Sequence, residues 1–347
     1  MQSTPVEGSM RVALLAHEKF PDDAKTAVGV LRYADFDVAA VLDRDLAGDR
    51  VSDHLAGVAD APIVAGMDEL DEPVDALLIG IAPIGGGFDE SWRPDVRAAI
   101  ERGADVVAGL HYFLSEDEEF ASLAAEHNVD LRDVRKPDED LTVAEGVSGD
   151  VSAEVVLTVG TDCSTGKMTS SIEMMEAATA RGEDAAFVPT GQTGIMIADW
   201  GHPIDRVVSD FTAGAVEDMI VERGDDHDYL FVEGQGSINH PAYSSVTLGI
   251  LHGAMPDKLV LTHNVGQEVV HGYEDFALPD LDTVVDLYED VAAPVHETEV
   301  VAGMINTSSI ESDEKAREAV EAYSAAIGVP ATDPVRFGAE EVLDAIL

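Results

Sequence analysis

Cations are scarce in this chain of 347 residues: 20 Lys and Arg stand against 69 Asp and Glu, a formal charge of −49. A surface that negative repels phosphate backbones and anionic lipid heads, so neither nucleic acid nor a membrane surface is expected as a partner. Long apolar runs are missing too, and none approaches the ~20 residues of a membrane-crossing helix. The start, Met1-Gln2-Ser3-Thr4-Pro5, lacks the basic and apolar segments of a secretory leader. A single cysteine, Cys163, excludes an internal disulfide and fits a reducing cytoplasm. With no Cys pair and no His-x-x-x-His spacing, no structural zinc site is expected and no metal ligand is assigned. Also absent is Gly-x-Gly-x-x-Gly after the first expected strand, where the loop reads His17-Glu18-Lys19-Phe20-Pro21. Asp43 ends a second strand where a ribose would be met, but without those glycines NAD is not expected.

Apolar residues, by contrast, make up 46% of the chain, enough for packed cores despite the charge. The acids are spread throughout, and only six of the 20 basic residues are Lys. That pattern resembles halophilic proteins of a salt-filled cytoplasm, where charge is screened within ~3 Å at molar salt.

Short apolar runs alternate with helical stretches, the mark of parallel α/β sheets buried on both faces. Strands are expected at Arg11–Ala16, Asp37–Leu42, Ala76–Ile81 and Asp105–Ala108, with helices near Asp23–Ala34, Pro94–Glu101 and Asp117–His127. From Pro137 to Asp150 the chain is polar and aperiodic, which divides it into domains at 10–140 and 153–347 joined by 141–152. Further strands are expected at Glu154–Val159, Ala185–Pro189, Tyr229–Glu233, Lys258–His263 and Val300–Ile305. Helices are expected at Lys167–Arg181, Thr212–Arg223, Ser244–His252, Asp282–Val291, Ser312–Ile327 and Ala339–Ile346.

The most informative run is Gly160-Thr161-Asp162-Cys163-Ser164-Thr165-Gly166-Lys167-Met168-Thr169, a Gly-bounded loop between strand and helix. Unpaired N–H groups and the helix dipole suit such a loop to a phosphate, and Lys167 supplies a point charge. As a first-turn residue, Lys167 is expected to be exposed and to pack little. Five residues separate Gly160 from Gly166, one more than in the common phosphate loop. Met168 stands where that loop places a Mg²⁺-binding hydroxyl, and a thioether is a poor ligand for an ion that demands oxygen. Phosphate binding without metal-assisted phosphoryl transfer is therefore expected.

Glu233 ends an expected strand ahead of Gly234-Gln235-Gly236-Ser237, a place where ligands bind in open α/β sheets. It reads as a metal ligand, a general base or a loop-capping carboxylate. Gly191-Gln192-Thr193-Gly194 and Ile84-Gly85-Gly86-Gly87 each offer close backbone approach to a ligand, or a plain turn. Cys163, near a helix N-terminus and Lys167, invites a nucleophile reading, but phosphate loops accept many residue types there and no base partner is identifiable, so that reading is set aside. Glu268 and His271 share a helical spacing but lack a third ligand, and read as surface residues.

The run GTDCSTGKMTSS followed by VEGQGS is similar to the phosphate-loop half of dethiobiotin synthetase-like proteins. More of the chain resembles a two-domain family long labelled as of unknown function. The resemblance rests on Ala24-Lys25-Thr26-Ala27, Gly109-Leu110-His111, Asp133-Val134-Arg135-Lys136-Pro137, the phosphate loop, and Ala331-Thr332-Asp333-Pro334-Val335-Arg336-Phe337-Gly338. It implies a Rossmann-like N-terminal domain and a P-loop NTPase-like C-terminal domain. Its characterised members are D-glutamate N-acetyltransferases, so it implies acetyl-CoA as co-substrate and a small amino acid as partner. A homo-oligomer is compatible with it. Such a reaction needs cations for the acceptor carboxylates, with candidates Lys25, Arg132, Arg135, Lys136, Arg206 and Arg336. Gln192 and Thr193 are further substrate-binding candidates. It also needs a base for the amine, from Glu233, Asp162, His111 or His240. Two alternatives stay open: an ATP-dependent ligase or kinase with Mg²⁺ on Glu233 and Thr169, and a nucleotide- or CoA-binding protein without turnover.

Overall fold

The computed structural model describes residues 9–83 and 85–347. The start of the chain and Ile84, both weighed above, lie outside the described residues. The chain divides into two units: residues up to Lys136 with Gln192–Pro203, and Pro137–Gly191 with Ile204–Leu347.

The first unit carries strands β1 (Arg11–Leu15), β2 (Asp37–Leu42), β3 (Ile63–Val64), β4 (Ala76–Ile79), β5 (Asp105–Ala108) and β6 (Leu131–Asp133). They form one parallel sheet in the order β3-β2-β1-β4-β5-β6. Leu14, Leu15, Leu77 and Ile79 are fully buried, as expected of strands covered on both faces. Helices α1 (Lys25–Tyr33), α2 (Arg93–Glu101) and α3 (Glu118–His127) connect them. Asp117 caps α3 by accepting from the N–H groups of Glu119 and Phe120. Asp43, at the end of β2, is buried and accepts from the N–H groups of Phe20, Asp45 and Leu46. Its carboxylate thereby organises the loops after β1 and β2.

In the second unit, β7 (Glu154–Gly160), β8 (Ala185–Val188), β9 (Tyr229–Val232) and β10 (Lys258–Asn264) belong to a second parallel sheet. A small hairpin, β11 (Val269–Val270) with β12 (Tyr273–Ala277), follows, and β13 (Glu299–Asn306) and β14 (Ala331–Thr332) complete the sheet. Its order is β14-β13-β10-β7-β9-β8. The helices are α4 (Lys167–Arg181), α5 (Gln192–Ala198), α6 (Thr212–Arg223), α7 (Ser244–Ala254), α8 (Leu281–Ala292), α9 (Asp313–Ile327) and α10 (Leu343–Ile346). Of these, α5 groups with the first unit. The chain leaves β7 toward β8 on one side and leaves β10 toward β13 on the other. The crevice at the carboxyl ends of β7 and β10 is therefore the topological switch point, where ligands bind in such sheets.

Two expectations about elements are corrected. Gln192–Gly194 opens a helix rather than a turn, because Thr193, Gly194, Ile195 and Met196 find burial. Ala339–Ile346 divides into a tight turn, Glu340–Val342, and the single-turn α10. Glu268 and His271 are exposed, as expected of surface residues, and flank a strand of the hairpin.

Candidate functional site

β7 is a run of buried side chains, from Val155 to Val159, that delivers Gly160 to the carboxyl edge of the sheet. A Cβ at Gly160 would stand 2.7 Å from both Lys167 Nζ and Thr165 Oγ1, so the loop can close on itself only with Gly there. Gly166 then takes a left-handed conformation, φ +96°, and starts α4 at Lys167. The loop is braced from several strands. Thr161 N donates to Thr262 O at 3.0 Å, Thr165 and Thr262 share a hydroxyl contact of 2.6 Å, and Asn239 Nδ2 donates to Thr161 O at 3.1 Å.

A tyrosine holds the loop from beneath. Tyr288, fully buried on α8, donates its hydroxyl to Gly160 O at 2.8 Å and accepts from Ile238 N at 3.1 Å. Burial pushes its phenol up to about 12, so it stays protonated and able to donate. Tyr288→Phe would leave a buried C=O and a half-buried N–H without this partner. The expected loss is about 1–3 kcal/mol of stability, read from urea unfolding with an unchanged m value. An unmoved unfolding midpoint would show that the hydroxyl braces nothing.

Lys167 departs from expectation. It is only 6% exposed, and Nζ donates to Asp162 O at 2.7 Å and to Thr165 Oγ1 at 3.3 Å. The loop curls over its own lysine, which supplies packing an exposed side chain would not. Met168 is buried at 5% exposure, so its thioether faces the interior. Cys163, Ser164, Gly166 and Thr169 are the more open members of the run.

Asp162 is fully buried, and its carboxylate accepts from Cys163 N at 2.6 Å, His271 N at 2.6 Å and Gln267 Nε2. It ties the phosphate loop to the β10–β11 turn through Gln267 and to the hairpin turn after β11 through His271, and these N–H donors occupy the oxygens a proton-abstracting base would use. His240 lies nearby, with Nε2 3.9 Å from Asp162 Oδ1. Its Nδ1 accepts from Ala242 N at 3.1 Å, which puts the proton of the neutral ring on Nε2. His240 thus turns Nε2 toward Asp162. Ligand atoms of Asp162, Cys163 and His240 lie within 4.8 Å of one another. The same tautomer leaves Nε2 no lone pair for an ion, so the trio does not fit a metal centre.

Glu233, buried at the end of β9, accepts on Oε2 from Thr190 N and Gly191 N, both at 3.1 Å. The carboxylate holds the loop after β8 against the end of β9. Next to it, Gly234 N donates to Thr158 Oγ1 at 3.1 Å.

Two of the remaining candidates, Arg336 and Arg206, belong to the second unit. Arg336 is committed to structure: its guanidinium binds Asp313 at 2.7 Å and the carbonyls of Thr307, Ile310 and Glu311. Arg206 is an exposed residue of the Ile204–Arg206 turn. In the first unit, Lys25 opens α1 exposed, Arg132 pairs with Asp199, and Lys136 pairs with Glu116 at 3.3 Å. Arg135 is 9% exposed and bonds His111 Nε2. His111 covers Gly86, whose absent Cβ would stand 2.3 Å from the ring. Thr193 shares a 2.8 Å hydroxyl contact with Thr26, and Gln192 packs over Gly109.

Sequence reasoning passed over His263, the penultimate residue of β10. It shares a 2.9 Å hydrogen bond between its Nδ1 and Thr161 Oγ1 of the phosphate loop. Its ring stacks on Tyr323 with centroids 5.5 Å apart, and burial holds its pKa below the usual histidine value. A polar residue at the carboxyl end of a central strand was the available signal.

Residues 142–343 match the family model described as "Domain of unknown function (DUF1611_C) P-loop domain", and residues 44–137 match its partner, the "(DUF1611_N) Rossmann-like domain". Among curated proteins, a D-glutamate N-acetyltransferase of Pseudoalteromonas sp is 37% identical over 268 residues, 77% of this chain and 80% of that one. A protein of the same name from Tritonibacter scottomollicae is 36% identical over 275 residues, 78% of this chain and 80% of that one. The crystal structure of a DUF1611 family protein from Anabaena variabilis superposes with a TM-score of 0.92 at 37% identity, covering 97% of this chain and 99% of that one. The sheet orders, the phosphate loop and these matches agree: the chain belongs to the two-domain DUF1611 family, a Rossmann-like N-terminal domain followed by a P-loop domain.

Proposed function

We propose that the protein transfers an acetyl group from acetyl-CoA to the amine of D-glutamate. The observation that carries this reading is a phosphate loop with buried Met168 where a Mg²⁺-binding hydroxyl would stand, in a chain 37% identical to a D-glutamate N-acetyltransferase. CoA brings phosphates but transfers none of them, so the loop has to bind and orient without a metal. In this reading Lys167 and the first-turn N–H groups of α4 hold a CoA phosphate. Tyr288, Asn239 and Asp162 keep the loop in shape. The amine nitrogen attacks the thioester carbon, the C–S bond breaks, and CoA leaves as the thiol.

The test is release of free thiol from acetyl-CoA, at high salt, with D-glutamate, L-glutamate and D-aspartate offered separately. Release dependent on D-glutamate is the expected result. If no acceptor raises release above background, the transferase reading fails; substrate-stimulated ADP formation from ATP would then favour ligase chemistry.

A further inference from the structure

We propose that His263 is the general base for the acceptor amine, and that the pocket beside it receives the acceptor's ammonium group. The proposal deepens the acetyltransferase reading and rests on it. The pocket has a volume of about 590 Å³ and is lined by Thr161, His263, Glu268, Asp280 and Asp282, with Ala326 of α9 on one side. It lies at the carboxyl end of β10, next to β7, which is the switch point of the second sheet. One wall, Thr161, is itself a residue of the phosphate loop, so a phosphate-anchored co-substrate and the pocket share a boundary.

The lining is chemically one-sided. Among the described residues, three carboxylate side chains and no Lys or Arg line the space, a setting that attracts an ammonium. His263 is the member able to take a proton near neutrality, because its burial keeps the imidazole uncharged. Its Nδ1 is engaged with Thr161 Oγ1, while Nε2 makes no hydrogen bond among the described residues. When Nδ1–H donates to Thr161 Oγ1, Nε2 presents its lone pair. Thr161 is thus a positioning residue that selects the base-competent tautomer, and Tyr323 fixes the ring plane by stacking, with an interplanar angle of 16°.

The proton balance closes. The ammonium gives one proton to Nε2, and the freed lone pair forms the N–C bond as the C–S bond breaks. The second proton lost by the nitrogen goes to the departing sulfur, and the imidazolium returns its proton to solvent. No further co-reactant is required.

The experiment uses the full chain and His263→Gln, which keeps a polar side chain beside Thr161. Thiol release with D-glutamate is followed against pH, and acetyl-CoA binding is measured by calorimetry. A positioned base is worth roughly 10²- to 10⁴-fold, so kcat should fall by that factor while acetyl-CoA binds as in the parent. The acid limb of the parental pH profile should disappear, and added imidazole should restore part of the rate. Thr161→Val, of similar volume, should lower kcat with D-glutamate KM little changed, whereas Thr161→Ser keeps the oxygen and the rate. A His263→Gln protein that binds acetyl-CoA and turns over at the parental rate with the same acid limb overturns the proposal alone. A parent that acetylates no amino acid overturns it together with the reading beneath it. Should His263→Gln fail to fold, the Thr161 pair decides: equal rates for Val and Ser overturn the proposal.

Discussion

Gly234→Ala is expected to lower the thermal midpoint by roughly 6–12 °C, the effect of about 3 kcal/mol of overpacking in a unit of this size. A Cβ at Gly234 would stand 1.8 Å from the carbonyl oxygen of Thr158, inside the central strand β7. No rotamer relieves a contact between a Cβ and backbone, so β7 and β9 would have to part locally. Their separation would also release the Gly234 N–H from Thr158 Oγ1, a bond of 3.1 Å, and disturb Glu233 one residue away. Calorimetry beside Gly87→Ala, where a Cβ meets nothing within 4 Å, isolates the packing effect. Equal melting of the two variants would mean that the strands can yield there at no cost.

Lys167→Met is expected to weaken acetyl-CoA binding about 10- to 150-fold, the loss of a charge-assisted hydrogen bond of ~1.5–3 kcal/mol. Met fills much of the space left by the buried lysine stem, so the charge is removed with little cavity. Asp162 O keeps its hydrogen bond from Thr165 Oγ1 at 3.2 Å, which limits the disturbance to the loop. Lys167→Ala adds a cavity beneath the loop, and a stability loss should accompany the weakened binding. Calorimetric titration of both variants separates the two effects. Parental affinity for acetyl-CoA in the Met variant would remove Lys167 from phosphate recognition.

Most long elements of both sheets were legible in the sequence because their apolar runs and helical periods are strong. Asp37–Leu42, Asp105–Ala108, Lys167–Arg181 and Thr212–Arg223 begin and end where expected. The strands that escaped, β3, β6, β11, β12 and β14, are two to five residues long and carry no buried apolar run of their own; they are strands because a neighbour pairs with them. Helix α5 escaped because Gly-Gln-Thr-Gly mimics turn chemistry and its seven residues hold barely two turns. At the site, glycine spacing announced the phosphate loop. The burial of Lys167 could not be read, since it depends on the loop folding back so that the Asp162 carbonyl meets Nζ. Nor could the roles of Asp162 and His240: both residue types suit catalysis, and only the N–H groups of His271 and Ala242 reveal that their polar atoms are bonded internally.

The excursion of Gln192–Pro203 into the first unit sets an order of events during synthesis. A ribosome releases the N-terminal end first, and domains generally fold as they emerge. The first unit cannot be finished that way. Ile195 and Met196 form a buried cluster with Val134, and Thr193 closes on buried Thr26. Until residue 203 has cleared the exit tunnel, those partners wait uncovered while β7, the phosphate loop, α4 and β8 are already outside. The nascent chain therefore completes its first unit only after more than a quarter of the second has emerged. Ending translation between the units would yield an unfinished first unit with apolar surface open to aggregation, and not a smaller stable protein.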